Sequence, residues 1–432
     1  MSIVSFGCTK CYFTESFEGG IMFNPNKLWL VLLSSCALIF SSAWVQAGVK
    51  ITDEKSGTVV DLGGRLQYLT LFNDGSFDND VEYKVRRARI RLGITPHPWW
   101  KMFLQTEFSD DNINSGGDVR MIDAFITFKP RDWFQLIGGE RMAPASRQNL
   151  TSSGALMTVD RPGSNNYTLT WGLRGQTQFN NSPVPGTRGG SVGDVSVRDL
   201  GVTLFGSTST SDSLHFKYYA GVSDGSTERT SDEERFTARA QVNIGDAEPG
   251  YYGLSTYLGK KRTLGFGAAY DTQSDFAADT VNVDADGQGQ VVGSLDYTYW
   301  TIDAFAEQPI GPGTVTFEAA YSDLDLDDPQ GRLGSSGGNA LSGGVNADQT
   351  QGSGYYAQTG YYINKWQPWF LYEDWDADGN NDAGDWSAYR VGLSYFFAGH
   401  NANVKVGYEN TDNKTPGAND IQTFVLGAYI TF

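Results

Sequence analysis

Beyond residue 47 the sequence contains no cysteine, because Cys8, Cys11 and Cys36 all precede that point. A disulfide framework and a cysteine-ligated metal are thereby excluded from the remainder. Histidine is nearly as scarce. The 3 residues, His97, His215 and His400, are scattered, and none has a serine or acidic partner at informative spacing. Catalysis built on an imidazole lacks its parts, and the sequence reads as that of a protein that is not an enzyme. No run of about 18 apolar residues follows residue 47, so membrane-spanning helices are excluded. Base is short relative to acid, 32 Lys and Arg against 50 Asp and Glu for a net charge of −18, which argues against a nucleic-acid partner. Proline is sparse at 14 residues, whereas glycine (52) and aromatics (25 Phe, 22 Tyr, 11 Trp) are plentiful. Glycine in that amount suits turns and strand positions in a curved wall.

Residues 1–47 read as a segment removed during export. Lys27 precedes an apolar run from Leu28 to Phe40, and Val45-Gln46-Ala47 supplies a small-residue cleavage pattern, so the mature chain is expected to begin near Gly48. The tail ahead of this signal is unusually long, which points to Met22 as the translation start. Leu33-Ser34-Ser35-Cys36 resembles a lipoprotein cleavage box, but the apolar stretch runs on through Ala37 to Phe40, as an uncut signal core would. The remaining 385 residues (432 − 47) would ordinarily divide into two or three domains. No linker, composition break or helical periodicity divides them, and residues 48–432 are expected to form one domain.

That domain reads as strands. In Tyr83–Thr95, YKVRRARIRLGIT, a period of two places Ala88, Ile90, Leu92 and Ile94 on one face and Arg87, Arg89, Arg91 and Gly93 on the other. Aliphatics outside and arginines in register inside suit a closed barrel whose exterior touches lipid and whose interior holds water. The plainer reading, a soluble antiparallel strand with a solvated basic face, is tested by the rest of the chain. Strands are expected at 58–69, 83–95, 101–108, 119–128, 133–142, 198–206, 213–222, 235–243, 263–271, 295–307, 314–322, 354–362, 367–375, 386–397, 402–409 and 421–432, sixteen in all. Their connections are alternately short and long, as in an outer-membrane barrel with periplasmic turns and extracellular loops. Thr237, Arg239 and Gln241 oppose Phe236, Ala238, Ala240 and Val242, and Asn403, Lys405 and Glu409 oppose Ala402, Val404, Val406 and Tyr408. Aromatics gather at strand ends, at Trp99-Trp100, Trp133, Trp366, Trp369 and Tyr395-Phe396-Phe397, as interfacial girdles would. In the last strand Phe424, Leu426, Ala428, Ile430 and the final Phe432 share one face, which resembles the assembly signal of bacterial outer-membrane proteins. The expected fold is an all-β, closed antiparallel transmembrane barrel of about 16 strands.

Several blocks, in order, resemble the phosphate-selective porin O/P family. They are Arg86-Arg87-Ala88-Arg89; Asp123-Ala124-Phe125; Gly138 through Pro144 leading to Leu150-Thr151-Ser152-Ser153 and Asp160-Arg161-Pro162; Arg198-Asp199-Leu200-Gly201-Val202; and Leu393 through His400. The resemblance covers nearly all of residues 48–432. It implies a trimeric barrel with the loop after the fifth expected strand folded into the lumen. Members that bind phosphate pair inward arginines with loop lysines at the constriction. Here Pro144–Val197 carries Arg147, Arg161, Arg174 and Arg188 and no lysine.

Two chemistries are open to these residues. Inward Arg65, Arg87, Arg89, Arg91 and Arg239, with Arg141 and Arg161 at the mouth of the infolded loop, could line a path for anions such as phosphate, since a low-dielectric wall focuses their field. Alternatively they pair across the lumen with Asp61, Glu107, Asp123, Glu140 and Glu318, as in a general, non-selective porin. Asp374, Asp376, Asp378, Asp382 and Asp385, with Gly379 at the sixth position, follow a Ca²⁺-loop spacing, although Asp replaces the bidentate Glu and no helices flank it. A solvated acidic loop explains them equally, and no cofactor is required. The expected partners are small anionic or polar solutes, outer-membrane lipid and two further copies of the chain. From another class, the barrel could sheath a periplasmic electron-transfer partner, which needs a lumen wide enough for a protein, or act as an outer-membrane hydrolase, which needs Ser, His and Asp clustered at the rim.

Overall fold

The computed structural model describes residues 48–73, 81–108, 119–163, 197–225, 233–281, 290–327, 351–378, 384–414 and 420–432. The expected export segment, Asp382 and the stretch Arg174–Arg188 lie outside them. The described residues from Gly48 onward form one antiparallel sheet of 17 strands. The strands are β1 (Val49–Thr52), β2 (Val59–Asn73), β3 (Val81–His97), β4 (Trp100–Glu107), β5 (Arg120–Arg131) and β6 (Phe134–Met142). There follow β7 (Arg198–Ser211), β8 (Leu214–Ser223), β9 (Arg235–Gly245), β10 (Thr263–Val281), β11 (Gln290–Ile310) and β12 (Gly313–Leu326). The last are β13 (Gly352–Tyr362), β14 (Trp366–Ala377), β15 (Trp386–His400), β16 (Ala402–Asn413) and β17 (Ile421–Thr431).

From β2 to β17 each strand pairs with the next, and β17 returns to β2, from Thr423↔Asn73 to Thr431↔Arg65. The barrel is closed by 16 staves (17 − 1), which are the sixteen expected strands. The additional β1 lies along the same edge of β2 as β17 and continues its line, with Val49 opposite Leu62 and Thr52 opposite Val59. Four residues are too few to give a period-two signal in the sequence. Where the two strands meet, Gly64 and Phe432 exchange backbone hydrogen bonds of 2.9 Å. A Cβ on Gly64 would sit 2.6 Å from the Phe432 ring, so glycine leaves room for the terminal aromatic.

Alternation sets the two faces. Outward Ile90, Ile126, Phe236, Phe266 and Ile302 are each about half exposed, while inward Arg87, Arg239, Glu318 and Arg390 are buried. Burying charge inside and exposing aliphatics outside reverses a soluble sheet and matches a lipid-facing barrel. Two departures from simple alternation matter for the lumen. A bulge at Gln67/Tyr68 puts Arg86 and Arg87 together on the inner side, so Arg86 joins the arginines that the pattern alone had assigned inward. Trp369 is not part of a girdle: Trp366 is exposed at the rim, but three residues on the parity has switched, and Trp369 is 2% exposed inside the barrel.

At one end the strands are joined by short turns, such as Asp132-Trp133 and Asp212-Ser213. The exception is the β9–β10 connection, residues 246–262. At the other end, connections are long, the longest spanning residues 143–197 between β6 and β7.

Candidate functional site

The β6–β7 connection enters the lumen. Its described part, residues 143–163, is buried almost throughout and is held by partners on many staves. Arg86 and Arg87 of β3 pair with Asp160 at 2.8 and 3.3 Å, and Gln67 of β2 donates to the Ser153 carbonyl at 2.7 Å. From the adjoining staves across the barrel closure, Lys405 of β16 donates to the Thr158 carbonyl at 2.9 Å, Arg390 of β15 to the Arg161 carbonyl at 2.9 Å, and Tyr429 of β17 to the Val159 carbonyl at 2.8 Å. Met157 and Val159 pack with Trp369, Leu69, Leu71, Val425 and Tyr429 in an apolar cluster. Polar carbonyls thus receive charged donors while the apolar side chains of the loop find apolar ones, as burial of an irregular segment requires.

A second segment enters from the other end. Residues 246–262 meet the infolded loop along a short backbone seam, in which Ser152 N donates to Gly253 O at 2.9 Å, Gly253 N to Leu150 O at 2.9 Å and Ser255 N to Ala155 O at 3.2 Å. Arg147 of the loop clamps Glu248 of this segment through two hydrogen bonds of 3.0 and 3.1 Å, and its guanidinium lies 4.0 Å from the Phe305 ring centre. Gln241 and Asn243 of β9 also donate to Glu248, at 2.7 and 3.0 Å. Burial alone would raise the Glu248 carboxyl, but the adjoining Arg147, with Lys217 behind it, holds it well below the ordinary carboxylate range. Burial and the Glu248 charge push the Tyr257 hydroxyl up, so it remains a donor to that carboxylate.

The two inserted segments divide the lumen into unlike halves. Along β9–β15 the inward arginines are matched by acids: Arg235 by Asp199 of β7 and by Asp271, Arg239 by Asp303, Arg390 by Glu373. Arg239 reaches Asp303 across an intervening strand because Gly267 has no side chain; a Cβ there would lie 2.3 Å from the guanidinium. Along β2–β7 a cavity of about 580 Å³ stays open, lined also by Asn149, by residues 151–153 and by residues 249–252. Seven charged groups lining it are basic (Arg65, Arg89, Arg91, Lys101, Lys129, Arg161 and Arg198) and one, Asp123, is acidic. Arg89 pairs with Glu107, Arg198 with Asp123 at 2.9 Å, and Lys129 with Asp132 at 2.8 Å. Among the described residues Arg65, Arg91 and Lys101 have no carboxylate within ion-pairing distance, and Arg65 donates to the Ser153 hydroxyl at 2.5 Å.

The seven arginines expected to form one anion path therefore separate. Arg65, Arg89, Arg91 and Arg161 line the cavity; Arg87 holds the infolded loop, Arg239 is matched by Asp303, and Arg141 is buried against Thr203, Ser223 and the Asp199 carbonyl. Lys101 and Glu248 complete the site without having been singled out in the sequence, and Arg198 had been marked there only as part of a resemblance block. Lys101 was legible from parity with Phe103 and Gln105. The 246–262 segment announced itself only by its length among short turns. Of the acidic stretch, Asp374 and Asp376 belong to the regular strand β14, Asp374 lies 3.7 Å from Lys414, and Asp385 accepts from the Ala377 amide at 2.8 Å. Among the described residues no cluster of three or more His, Cys, Asp or Glu is placed to hold a metal.

A family model described as Gram-negative porin matches residues 102–416. A curated relative, an uncharacterized protein of Aquifex aeolicus (strain VF5), is 23% identical over 326 residues, which cover 69% of this chain and 66% of that protein. The chain thus spans just under two thirds of that relative's length. Among solved structures, the anion-selective porin from Comamonas acidovorans is similar with a TM-score of 0.52 at 12% identity, over 87% of this chain and 100% of that one. The trimer form of in-vitro folded OmpT, an outer membrane protein of Vibrio cholerae, gives 0.50 at 14% identity, over 87% and 99%. At such identities the likeness is one of fold: a closed outer-membrane barrel.

Proposed function

The chain belongs to the Gram-negative porin family, and from that premise we propose that its barrel, a passive channel for small hydrophilic solutes across the outer membrane, prefers anions. One observation carries the preference: the open part of the lumen is lined by seven bases and one acid, and three of those bases lack a carboxylate partner among the described residues. An unpaired cation on a low-dielectric wall raises the local anion concentration, whereas a paired one presents only a dipole. Phosphate falls within the favoured class, because guanidinium offers it paired donors and the arginine blocks resemble those of the phosphate-selective members. Reversal potentials across a planar bilayer in a KCl gradient test the proposal, and a cation preference would overturn it.

A non-selective porin is the second reading. It draws on the matched half of the lumen and on the Arg89–Glu107 and Arg198–Asp123 pairs in the cavity wall. A sheath for a protein partner is disfavoured, since about 580 Å³ holds a small solute and not a folded domain. Assembly as a homotrimer is part of the proposal, supported by the trimer form of the similar OmpT barrel, and native mass spectrometry of the detergent-extracted protein tests it. Residues 1–47 are read as removed on export; a mature N-terminus at Gly48 is the expected result of sequencing.

A further inference from the structure

The cavity wall departs from the alternation that places only charged and amide groups inside. On β4 and β5 the inward partners Phe103 and Phe125 stack with ring centres 5.1 Å apart and planes 27° from parallel. Neighbouring inward aromatics, Phe205 and Tyr219, lie against Tyr251 of the inserted turn and cluster with Ile137 and Leu150, and Phe125 packs against that cluster. Phe103 and Phe125 are only partly covered and face the cavity. A water-filled pore gains nothing from exposing two stacked rings.

Cations flank this shelf. Lys101 Nζ lies 5.9 Å from the Phe103 ring centre, and Arg91 is the inward residue diagonal to Phe103, since Phe103 stands opposite Gly93 and Arg91 opposite Gln105. Such diagonal neighbours are roughly 7–8 Å apart at the backbone, a span within the length of an arginine side chain turned from Gly63 toward β4. Gly93 leaves the wall flat between them, and Arg91 lies across Gly63, where a Cβ would be 2.4 Å from its Nε. Among the described residues neither Arg91 nor Lys101 has a hydrogen-bond or ion-pair partner, and Asp61, opposite Gly93, is beyond ion-pairing distance of both.

We propose that this corner of the cavity is a binding subsite for small aromatic carboxylates, the ring lying on the Phe103–Phe125 shelf and the carboxylate taken by Arg91 and Lys101. The inference rests on the anion preference proposed above and narrows it from any anion to one carrying a flat apolar ring. Burial of the ring supplies what a bare anion lacks, since aromatic pairs attract beyond their buried area.

Benzoate and acetate carry the same charge and differ in the ring, so they separate the two readings. In planar bilayers with the full mature chain, benzoate is expected to reduce the KCl current at concentrations at least about fivefold lower than acetate. Phe103→Leu, which keeps apolar bulk, and Phe125→Ala are each expected to bring the two within about twofold. Arg91→Gln should weaken block by both. Equal block by benzoate and acetate in the wild type, or a difference that survives both phenylalanine substitutions, overturns the subsite. A cation-selective reversal potential instead overturns the anion preference, whichever way the two carboxylates compare.

Discussion

Replacing Glu248 by glutamine should loosen the junction between the two inserted segments. The substitution keeps the shape of the side chain but removes the charge that Arg147 holds at 3.0 and 3.1 Å, leaving Arg147 with Glu318 at 3.8 Å. Breaking a buried ion pair from one side costs about 3 kcal/mol or more. The seam it supports consists of three backbone hydrogen bonds, Ser152–Gly253, Gly253–Leu150 and Ser255–Ala155, worth about 1 kcal/mol each. The loss thus rivals the whole seam, and the undocked population of residues 246–262 should rise on the order of 100-fold. Single-channel recordings should show added current noise, and the amides of Gly253 and Ser255 should exchange faster. The same pair fixes a pH dependence. Glu248 is held below the ordinary glutamate value of 4.5, so its contribution is complete above that pH and is lost only as the pH falls toward the depressed value. Wild-type current should therefore stay quiet from neutrality down to 4.5 and become noisy below it. A glutamine variant as quiet as wild type, with unchanged exchange at Gly253 and Ser255, would refute the reasoning.

Other substitutions test separate parts of the lumen. Arg65→Gln and Arg91→Gln should each lower the anion-to-cation permeability ratio roughly fivefold, since one unit charge about 8 Å from a permeating ion in water attracts an anion and repels a cation by about 0.5 kcal/mol each, whereas replacing both members of a matched pair, Arg239→Gln with Asp303→Asn, should change selectivity less; reversal potentials compare them directly. Trp369→Ala removes the indole that packs on Met157 and Val159 and donates to Ser394 at 3.1 Å. It should cost about 3–5 kcal/mol, read as a lower melting temperature together with a higher conductance as the loop loses its seat. Gly267→Ala should push the Arg239 guanidinium off Asp303 and lower thermal stability by about 1–3 kcal/mol; a melting curve matching wild type would show that the pair relaxes at no cost.

The staves were legible because alternation between lipid and water is imposed at every residue, so sixteen segments carry the same signal. Single positions escaped where that period breaks. Arg86 sits beside Ala88 on the outward face of an unbroken strand, and only the bulge opposite Gln67 turns it inward. Trp369 shows the converse: parity with Gln367 places it inside, and the rule that tryptophans gather at interfaces misdirects. Which arginines are free could not be read along the chain. Arg239 and Asp303 stand 64 residues apart, and their meeting depends on register across a third strand and on the glycine between them. Residues 246–262 lack any period, since a segment that docks inside a barrel answers to its neighbours and not to a repeating surface.

A net charge of −18 and a cationic cavity are compatible because they act at different ranges. Salt screens exposed charges beyond about 8–10 Å at physiological ionic strength, so acids outside the lumen, such as Asp376 on the outer face of β14, act weakly on an ion inside. Within the lumen the field is set by what remains after pairing. Arg235, Arg239 and Arg390 are matched locally by acids, and Arg86 and Arg87 share the carboxylate of Asp160. Under the proposed anion preference, selectivity then turns on the bases that line the open cavity without a carboxylate partner among the described residues, Arg65, Arg91 and Lys101, since Arg141 and Lys405 are held against hydroxyls and carbonyls. The acids of the inserted segments are engaged elsewhere, Asp160 of the infolded loop by Arg86 and Arg87 of β3 and Glu248 of the inserted turn by Arg147. The inserted segments therefore do more than narrow the passage: by choosing which arginines are matched, they decide where the wall stays positive.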